Sequence, residues 1–159
     1  MKEIERKWFL KSGVNYLDIV GNDKQTIRDY YLDKQLRIRN IKDNWFVTFK
    51  SLGKLVRDEY EFQIIAPNKD MLPKVFLEKE RFKVYFRGKT FEVNVFSNIL
   101  LNNSEKLVLV ECELSEEKEK IDLPNWLGTE VTNVSYLYGY NLFKSLENRN
   151  KELINGKNT

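Results

Sequence analysis

Long charged side chains recur at every second position in several short segments of this chain. Glu3-Ile4-Glu5-Arg6-Lys7 is the first such segment. In a β-strand, Glu3, Glu5 and Lys7 share one face of the sheet. A chain with this pattern must keep one whole face of its sheet polar, whether that face meets water or encloses a space.

The alternation continues through a series of predicted strands. Turn signals at Asp33-Lys34, Lys42-Asp43-Asn44 and Arg87-Gly88-Lys89 join neighbouring strands into hairpins, so the sheet is expected to be antiparallel. The predicted strands are residues 2–10, 26–32, 36–39, 45–50, 56–65, 78–86, 90–96 and 106–114.

Little of the remaining sequence is predicted to be helical. A short helix fits between Lys11 and Lys24, and residues 66–76 are helical or irregular. Pro124 to Gly128 predicts one helical turn closed by glycine. From Ser135 to about Leu146, helical spacing places four apolar side chains on one face, which we expect to pack on the sheet; they are Tyr136, Tyr140, Phe143 and Leu146.

One parity of the predicted strands gathers charged side chains and the other gathers apolar ones. The charged parity comprises Glu3, Glu5, Lys7, Arg37, Arg39, Lys50, Arg57, Glu59, Glu61, Lys79, Arg81, Glu92, Glu111 and Glu113. The apolar parity includes Ile4, Ile38, Val47, Phe49, Tyr60, Phe62, Val93, Val95, Val110, Cys112 and Leu114. We expect the apolar face to pack under helices.

The residue inventory excludes several kinds of chemistry. The chain has no histidine, which excludes imidazole-based triads and histidine-ligated zinc sites. Its single cysteine, Cys112, excludes an intrachain disulfide and fits a reducing compartment. The 27 basic residues nearly cancel 24 acidic ones, for a net charge of +3, so no nucleic-acid partner is expected.

The length of 159 residues suits a single domain. We expect that domain to span residues 1–146, followed by a polar, frayed tail over 147–159. No signal pattern or membrane-spanning apolar run is apparent, which predicts a cytoplasmic protein with no membrane partner. The sequence leaves open whether the protein is a monomer or a homodimer.

The charged face permits two interpretations. It is either the wet side of an open sheet or the lining of a closed one. In the closed case, many carboxylates and bases are confined together, and burying them is costly without partners. Carboxylates would collect one or two divalent cations, while arginines and lysines would bind a polyanion. Two Mg²⁺ ions carry about four positive charges, close to the negative charge of a triphosphate.

These segments resemble, in order, the motifs of the CYTH domain, the family of triphosphate tunnel metalloenzymes. Glu3-Ile4-Glu5-Arg6-Lys7 is similar to the family signature ExExK, and the resemblance covers about residues 2 to 143. The other similar segments are Tyr31-Leu32, Arg37-Ile38-Arg39, Phe46-Val47-Thr48-Phe49-Lys50, Arg57-Asp58-Glu59-Tyr60-Glu61, Lys79-Glu80-Arg81, Phe91-Glu92-Val93-Asn94-Val95-Phe96, Val110-Glu111-Cys112-Glu113-Leu114 and Leu123-Pro124-Asn125-Trp126-Leu127-Gly128-Thr129-Glu130-Val131-Thr132.

The resemblance implies a mostly β fold. Its centre would be a closed, eight-stranded antiparallel β-barrel, or tunnel, with a few short helices outside and a C-terminal helix. It also implies metal ligands for Mg²⁺ or Mn²⁺ at Glu3, Glu5, Glu111 and Glu113. The implied phosphate-binding residues are Lys7, Arg37, Arg39, Lys50, Arg57, Lys79 and Arg81. Glu59, Glu61 and Glu92 would orient these bases.

Two positions depart from the family pattern. Asn94 stands where the family usually has aspartate, so a second metal would be held more weakly there. Asp29-Tyr30 stands where the family has Gln-Gly, and the short loop between Leu32 and Arg37 would reshape one mouth of the tunnel.

The implied activity is metal-dependent hydrolysis of a triphosphate, with inorganic tripolyphosphate preferred. Glu5 and Lys79 are the expected catalytic residues, and Lys79 of depressed pKa is the candidate base because histidine is absent. Four alternatives stay open: a class IV adenylate cyclase, a hydrolase of nucleoside, thiamine or RNA triphosphates, a protein that binds nucleotide or polyphosphate without turnover, and a purely structural barrel.

Overall fold

The structure, a computed structural model, describes residues 1–53 and 55–156, with side chains in the C-terminal helix up to residue 152. The nine strands are β1 Lys2–Leu10, β2 Lys24–Tyr31, β3 Leu36–Ile41, β4 Asn44–Lys50, β5 Val56–Ile64, β6 Leu77–Phe86, β7 Lys89–Leu100, β8 Lys106–Glu113 and β9 Leu127–Glu130. The helix α1 spans Gly139–Gly156, and 3₁₀ turns lie at Tyr16–Asp18, Lys69–Met71 and Ser135–Leu137.

The first eight strands close into an antiparallel barrel. Their order around it is β1-β5-β4-β3-β2-β6-β7-β8, and β8 pairs with β1 again. Within the described residues, the seam between β1 and β5 consists of three residue pairs: Lys2 with Asp58, Glu3 with Arg57 and Ile4 with Val56. Closure confirms the barrel implied by the family resemblance.

The ninth strand extends the edge of β1 that β5 leaves free. β9 pairs Glu130 with Trp8 and Leu127 with Leu10. A hydrogen-bonded turn does run from Pro124 to Leu127, but the prediction that Gly128 closes a helical turn is wrong, because Gly128 lies within β9. A Cβ at Gly128 would lie 2.6 Å from the backbone oxygen of Leu10. Close approach of two backbones, and not helix termination, explains this glycine.

Replacing Gly128 by alanine should reduce stability, because the added Cβ would press on backbone atoms that cannot rotate away. We expect a loss of about 1–3 kcal/mol. Thermal unfolding should show it as a Tm lower by about 2–4 °C for each kcal/mol. Gly21→Ala is the matched control, since a Cβ at Gly21 meets nothing within 4 Å. Equal Tm values for the two variants would contradict the steric explanation.

Two hydrophobic clusters pack against the strands of the barrel, one outside it and one at an end of its interior. The outer cluster gathers around Trp8 and Phe91, with Trp126 and Ile121 from the chain before β9 packed against it. The second lies where α1 and the last 3₁₀ turn meet the inward faces of β6 to β8, since Leu77 and Phe96 also line the interior. Its buried members are Leu77, Phe96, Leu107, Leu109, Val131, Leu137, Leu142 and Phe143.

The outer face of β4 and β5 has no such cover within the described residues. Phe49, Tyr60 and Phe62 are 47%, 55% and 57% exposed. The expectation that this face packs under helices is therefore wrong for these three residues. Seven other members of the same parity are buried: Ile4, Ile38, Val93, Val95, Val110, Cys112 and Leu114. Those that gather around Trp8 and Phe91 pack under the Tyr16–Asp18 turn and the segment before β9, and α1 packs on the other cluster instead. Strand parity selects the outward face but does not say which part of that face a loop or helix reaches.

The C-terminal helix differs from the predicted one at both ends. It begins at Gly139, after the 3₁₀ turn, and it continues past Leu146 to Gly156. Residues 157–159 of the predicted tail lie outside the described residues. Phe143 is buried as expected, whereas Tyr136 is 67% exposed because it belongs to the 3₁₀ turn. Within the described part of the chain, no helix has the length and apolar character needed to cross a bilayer.

Candidate active site

The barrel encloses a cavity of about 500 Å³ that is lined by charged side chains. All fourteen members of the predicted charged parity lie along it. The sequence left open whether this face meets water or encloses a space. Closure of the barrel decides for the enclosed space and brings together residues that are as far apart in sequence as Glu3 and Glu113.

Two further charged residues line the cavity that were not predicted as site residues. They are Asp29 on β2 and Lys34 in the turn after it. Arg28 and Asp29 are adjacent charges, and the sequence alone does not say which one faces inward. The register decides, since Arg28 donates outward to Glu78 at 2.8 Å while Asp29 pairs with Arg39. With them, eight carboxylates face eight cationic groups in one interior.

Glutamates stand directly opposite each other at two places in the sheet. Glu5 on β1 pairs with Glu113 on β8, and Glu92 on β7 pairs with Glu111 on β8. Like charges directly opposite across two strands are destabilising. Arg81 contacts both Glu92 and Glu111, so the protein itself offsets the second repulsion. No base of the described residues bridges Glu5 and Glu113, so the register supplies a reason for cation binding at that pair.

The ionised form of Glu5 is disfavoured in the folded protein. Burial raises the pKa of its carboxyl, and repulsion from Glu111 and Glu3 raises it further, to about 7. Among the described residues, the ion pair of Glu5 is with Arg57, at 4.0 Å. A cation beside Glu5 would return the pKa of this carboxyl towards its ordinary range.

The candidate metal ligands have suitable chemistry, since carboxylate oxygens are what Mg²⁺ and Mn²⁺ prefer. Two of them are occupied by bases. Glu3 contacts Lys50 at 3.2 Å and Arg57 at 3.3 Å, and Glu111 contacts Lys7 at 3.3 Å. Within the described residues, no three carboxylates converge closely enough to form a complete ligand group by themselves. The donors therefore fit a cation whose remaining ligands come from a bound phosphate or water.

The bases at the β1 side of the cavity each contact at least one glutamate. Lys7 stands opposite Glu111 in the register. Burial acts to lower the pKa of Lys7, but Glu111 and Glu5 outweigh it and raise the pKa. Lys50 bridges Glu3 and Glu59, each at 3.2 Å. Both lysines are held near the candidate metal ligands.

Arg81 is held by three neighbours on β7 and β8. Its Nε donates to Asn94 Oδ1 at 2.8 Å, and its two terminal nitrogens contact Glu92 and Glu111. Asn94 is fully buried, and its amide nitrogen donates to the backbone oxygen of Glu92. Asn94 thus contacts Arg81, which indicates a positioning role beside the predicted weak second metal site.

The two arginines of β3 have different surroundings. Arg39 donates from Nε and Nη2 to the two carboxylate oxygens of Asp29, at 2.7 and 2.9 Å. Arg37 donates from Nη2 to Thr48 at 3.1 Å and lies 3.6 Å from Glu61. Thr48, which was not predicted as a site residue, is completely buried between Arg37 and Glu61. Its hydroxyl accepts from Arg37 and donates to Glu61 at 2.8 Å.

Lys79 is the one predicted base whose charge is disfavoured. Burial lowers the pKa of its amine, and Arg81 lowers it further, to about 7. Its Nζ lies 5.6 Å from the centre of the Phe96 ring and makes no ion pair within the described part of the chain. Lys79 is therefore able to be a neutral amine near pH 7.

Apolar and aromatic side chains line the end of the cavity nearest α1. Tyr31, Leu137 and Tyr140 are among them. The Tyr31 ring packs against Tyr140 and Phe143, and a Cβ at Gly139 would lie 2.1 Å from its hydroxyl. The first turn of α1 therefore narrows this end of the tunnel.

Comparisons with known proteins agree with this geometry. The CYTH domain family profile matches residues 1–146. An inorganic triphosphatase of Acetivibrio thermocellus is 34% identical over 152 residues, which cover 91% of this chain and 94% of that protein. One from Nitrosomonas europaea is 37% identical over 105 residues, which cover 62% and 67%. A crystal structure of an inorganic triphosphatase matches with a TM-score of 0.60 at 28% identity, covering 89% of this chain and 93% of that one.

Proposed function

This chain belongs to the CYTH domain family, and on that premise we propose that it hydrolyses a triphosphate, with inorganic tripolyphosphate as its substrate. One observation carries the proposal: among the described residues, eight carboxylates and eight bases line one cavity inside the barrel. Such an interior can hold a polyanion and its counter-cations together. The related inorganic triphosphatases support the choice of an inorganic substrate.

Phosphate oxygens would be bound by the bases that line the cavity. Lys7, Lys50 and Arg57 serve the β1 side, while Arg37 and Arg81 serve the opposite wall. Glu59, Glu61, Glu92 and Asn94 hold these bases in place. Arginine suits this task because its planar group binds two oxygens of a phosphate at once.

Metal dependence is general among the triphosphatases of this family. We assign Glu3, Glu5, Glu111 and Glu113 as the ligands of one or two Mg²⁺ or Mn²⁺ ions. A bound divalent cation supplies offsetting charge at phosphate oxygens and lowers the pKa of water. Glu5, with its raised pKa, gains most from such a neighbour.

Lys79 would act as the general base. Its neutral amine accepts a proton from the water whose oxygen attacks the terminal phosphorus in line. The bond from that phosphorus to the bridging oxygen breaks, which releases phosphate and pyrophosphate. The resulting ammonium lies near Glu111, whose charge favours the protonated form of Lys79.

The proposed setting follows from the same residues. The substrate is a small polyanion, so neither nucleic acid nor membrane is required as a partner. We place the protein in the cytoplasm, where its single buried Cys112 stays reduced. The domain that performs the reaction is residues 1–146, as a monomer or a homodimer.

Phosphate release from tripolyphosphate tests the proposal directly. We expect release with Mg²⁺ or Mn²⁺ and none in EDTA, with little turnover of ATP. Chromatography of ATP products serves as the control for a cyclase or a nucleotide hydrolase, which would give cyclic AMP or ADP. Release that is equally fast in EDTA would contradict a metal-dependent hydrolase. Tight calorimetric binding of tripolyphosphate without any release would indicate a binding protein instead.

A further inference from the structure

Asp29 is a charged group of the cavity wall that the proposed reaction does not use. Its carboxylate is 1% exposed and accepts two hydrogen bonds from Arg39. Burial acts to raise the pKa of Asp29, but Arg39 and Arg37 outweigh it and hold the pKa well below its usual range. Asp29 therefore stays ionised near neutral pH, in a cavity that binds an anion in the proposed function.

Arg39 is committed to this carboxylate. The two groups stand directly opposite each other on β2 and β3, so the pairing is built into the register. Nε and Nη2 form the edge with which a guanidinium grips a phosphate or a carboxylate in parallel. In Arg39 both nitrogens of that edge already donate to Asp29. The same edge cannot bind phosphate without taking both hydrogen bonds away from the buried carboxylate of Asp29, which is costly.

Arg37 is held more loosely, although it is equally buried. It is 7% exposed, and its contacts to Thr48 and Glu61 both use Nη2. Its Nε lies 3.9 Å from Asp29 and makes no hydrogen bond within the described residues. A buried N–H without a partner is costly, so a phosphate oxygen would supply what the protein does not.

Building on the proposed function, we infer that Asp29 divides the work of the two β3 arginines. Asp29 binds the guanidinium of Arg39, so that Arg39 becomes a positioning residue. Arg37 is then the arginine of β3 that binds the triphosphate. Arg39, which the family resemblance assigns to phosphate binding, then acts through Asp29 by fixing the negative charge beside Arg37. On β2 and β3, the triphosphate is therefore bound by one arginine and not by two.

Matched lysine substitutions separate the two arginines, because Arg→Lys keeps the charge and removes the Nε edge. Arg37→Lys should raise the KM for tripolyphosphate by about tenfold or more, the effect of losing charge-assisted hydrogen bonds. Arg39→Lys should raise KM by less than about threefold while lowering Tm, since a positioning contact is weakened. An equal rise of KM in both variants would overturn the inference.

A double variant keeps the test decisive if Arg39→Lys folds poorly. Asp29→Met with Arg39→Met replaces the whole pair by apolar side chains, an exchange that buried ion pairs often tolerate. We expect this variant to raise KM by less than about threefold. A tenfold rise would instead make Arg39 a direct phosphate ligand.

The substrate-induced rise in Tm, measured with tripolyphosphate in EDTA, gives a readout that does not depend on turnover. Arg37→Lys should reduce that rise and the double variant should preserve it, whereas the reverse order would overturn the inference. Failure of the wild type to hydrolyse tripolyphosphate would refute the proposed function, and this binding readout would still judge the division between the arginines.

Discussion

Replacing Glu5 by glutamine should reduce tripolyphosphate hydrolysis by at least about a hundredfold, because even groups that only support a metal ligand are worth 10–100-fold in affinity or activity. Glutamine keeps the shape of the side chain and removes the negative charge that faces Glu113 and Glu111. Titration of the rate with Mg²⁺ or Mn²⁺ should show that the variant needs more metal. Turnover within a few-fold of wild type at the same metal concentration would contradict this role.

The same Glu5→Gln change should leave the stability of the folded protein unchanged or increase it, although it reduces activity. The folded-state pKa of Glu5 is raised to about 7, so the folded protein binds this proton more tightly than the unfolded chain. Its ionisation therefore costs stability as the pH rises from the ordinary carboxyl range to about 7. In EDTA at pH 8, Glu5→Gln should have a Tm at or above that of wild type.

Glu80→Gln is the control for the activity measurement. Glu80 lies on the outer side of β6, where it pairs with Lys24, so this variant should keep full activity.

Replacing Lys79 by arginine should lower kcat by about a hundredfold or more, which is the usual contribution of general-base catalysis. Arginine keeps the positive charge, so phosphate binding and KM should change far less than kcat. It cannot lose its proton near neutral pH, and it therefore cannot accept one from water. Lys79→Met, which lacks both charge and base, should lose kcat similarly and raise KM as well.

The pH dependence of kcat/KM checks the same assignment, since it reports groups of the free enzyme. Burial and Arg81 lower the pKa of Lys79 to about 7, so its amine is neutral above that pH and charged below it. We expect kcat/KM of wild type to rise with pH through about 7 and then level off. Lys79→Arg should lack this rise. A variant that retained both kcat and the rise would assign the base to another group.

Most of the cavity lining could be predicted from strand parity. Side chains alternate strictly along a strand, so placing Glu3 on a face also places Glu5 and Lys7 there. Closure could not be read from parity, because a charged face suits either water or an enclosed space. The ordered resemblance to the CYTH domain decided for the barrel, and the pairing of β1 with β5 confirms it.

The residues that sequence reasoning missed depend on partners distant in the chain. Asp29 faces inward because β2 pairs in one register with both β3 and β6, and a shift by one residue would put Arg28 there instead. Gly128 resembled the end of a helix. The reason for a glycine there is the close approach of the Leu10 backbone, which is more than a hundred positions away in the chain. Phe49 and Tyr60 had the right parity for burial but no described element reaches them.

The short seam between β1 and β5 also has a consequence for motion. Three residue pairs of the described chain join these strands, against eight between β6 and β7, so local opening of the barrel should start at this seam. Glu3 on β1 contacts Arg57 on β5 across the seam and reaches Lys50 on the next strand, β4. A ligand held by these three side chains would tie the two strands together. Ligand binding and local opening between β1 and β5 would then be linked equilibria. A bound ligand would suppress the opening that exposes the charged interior to bulk water.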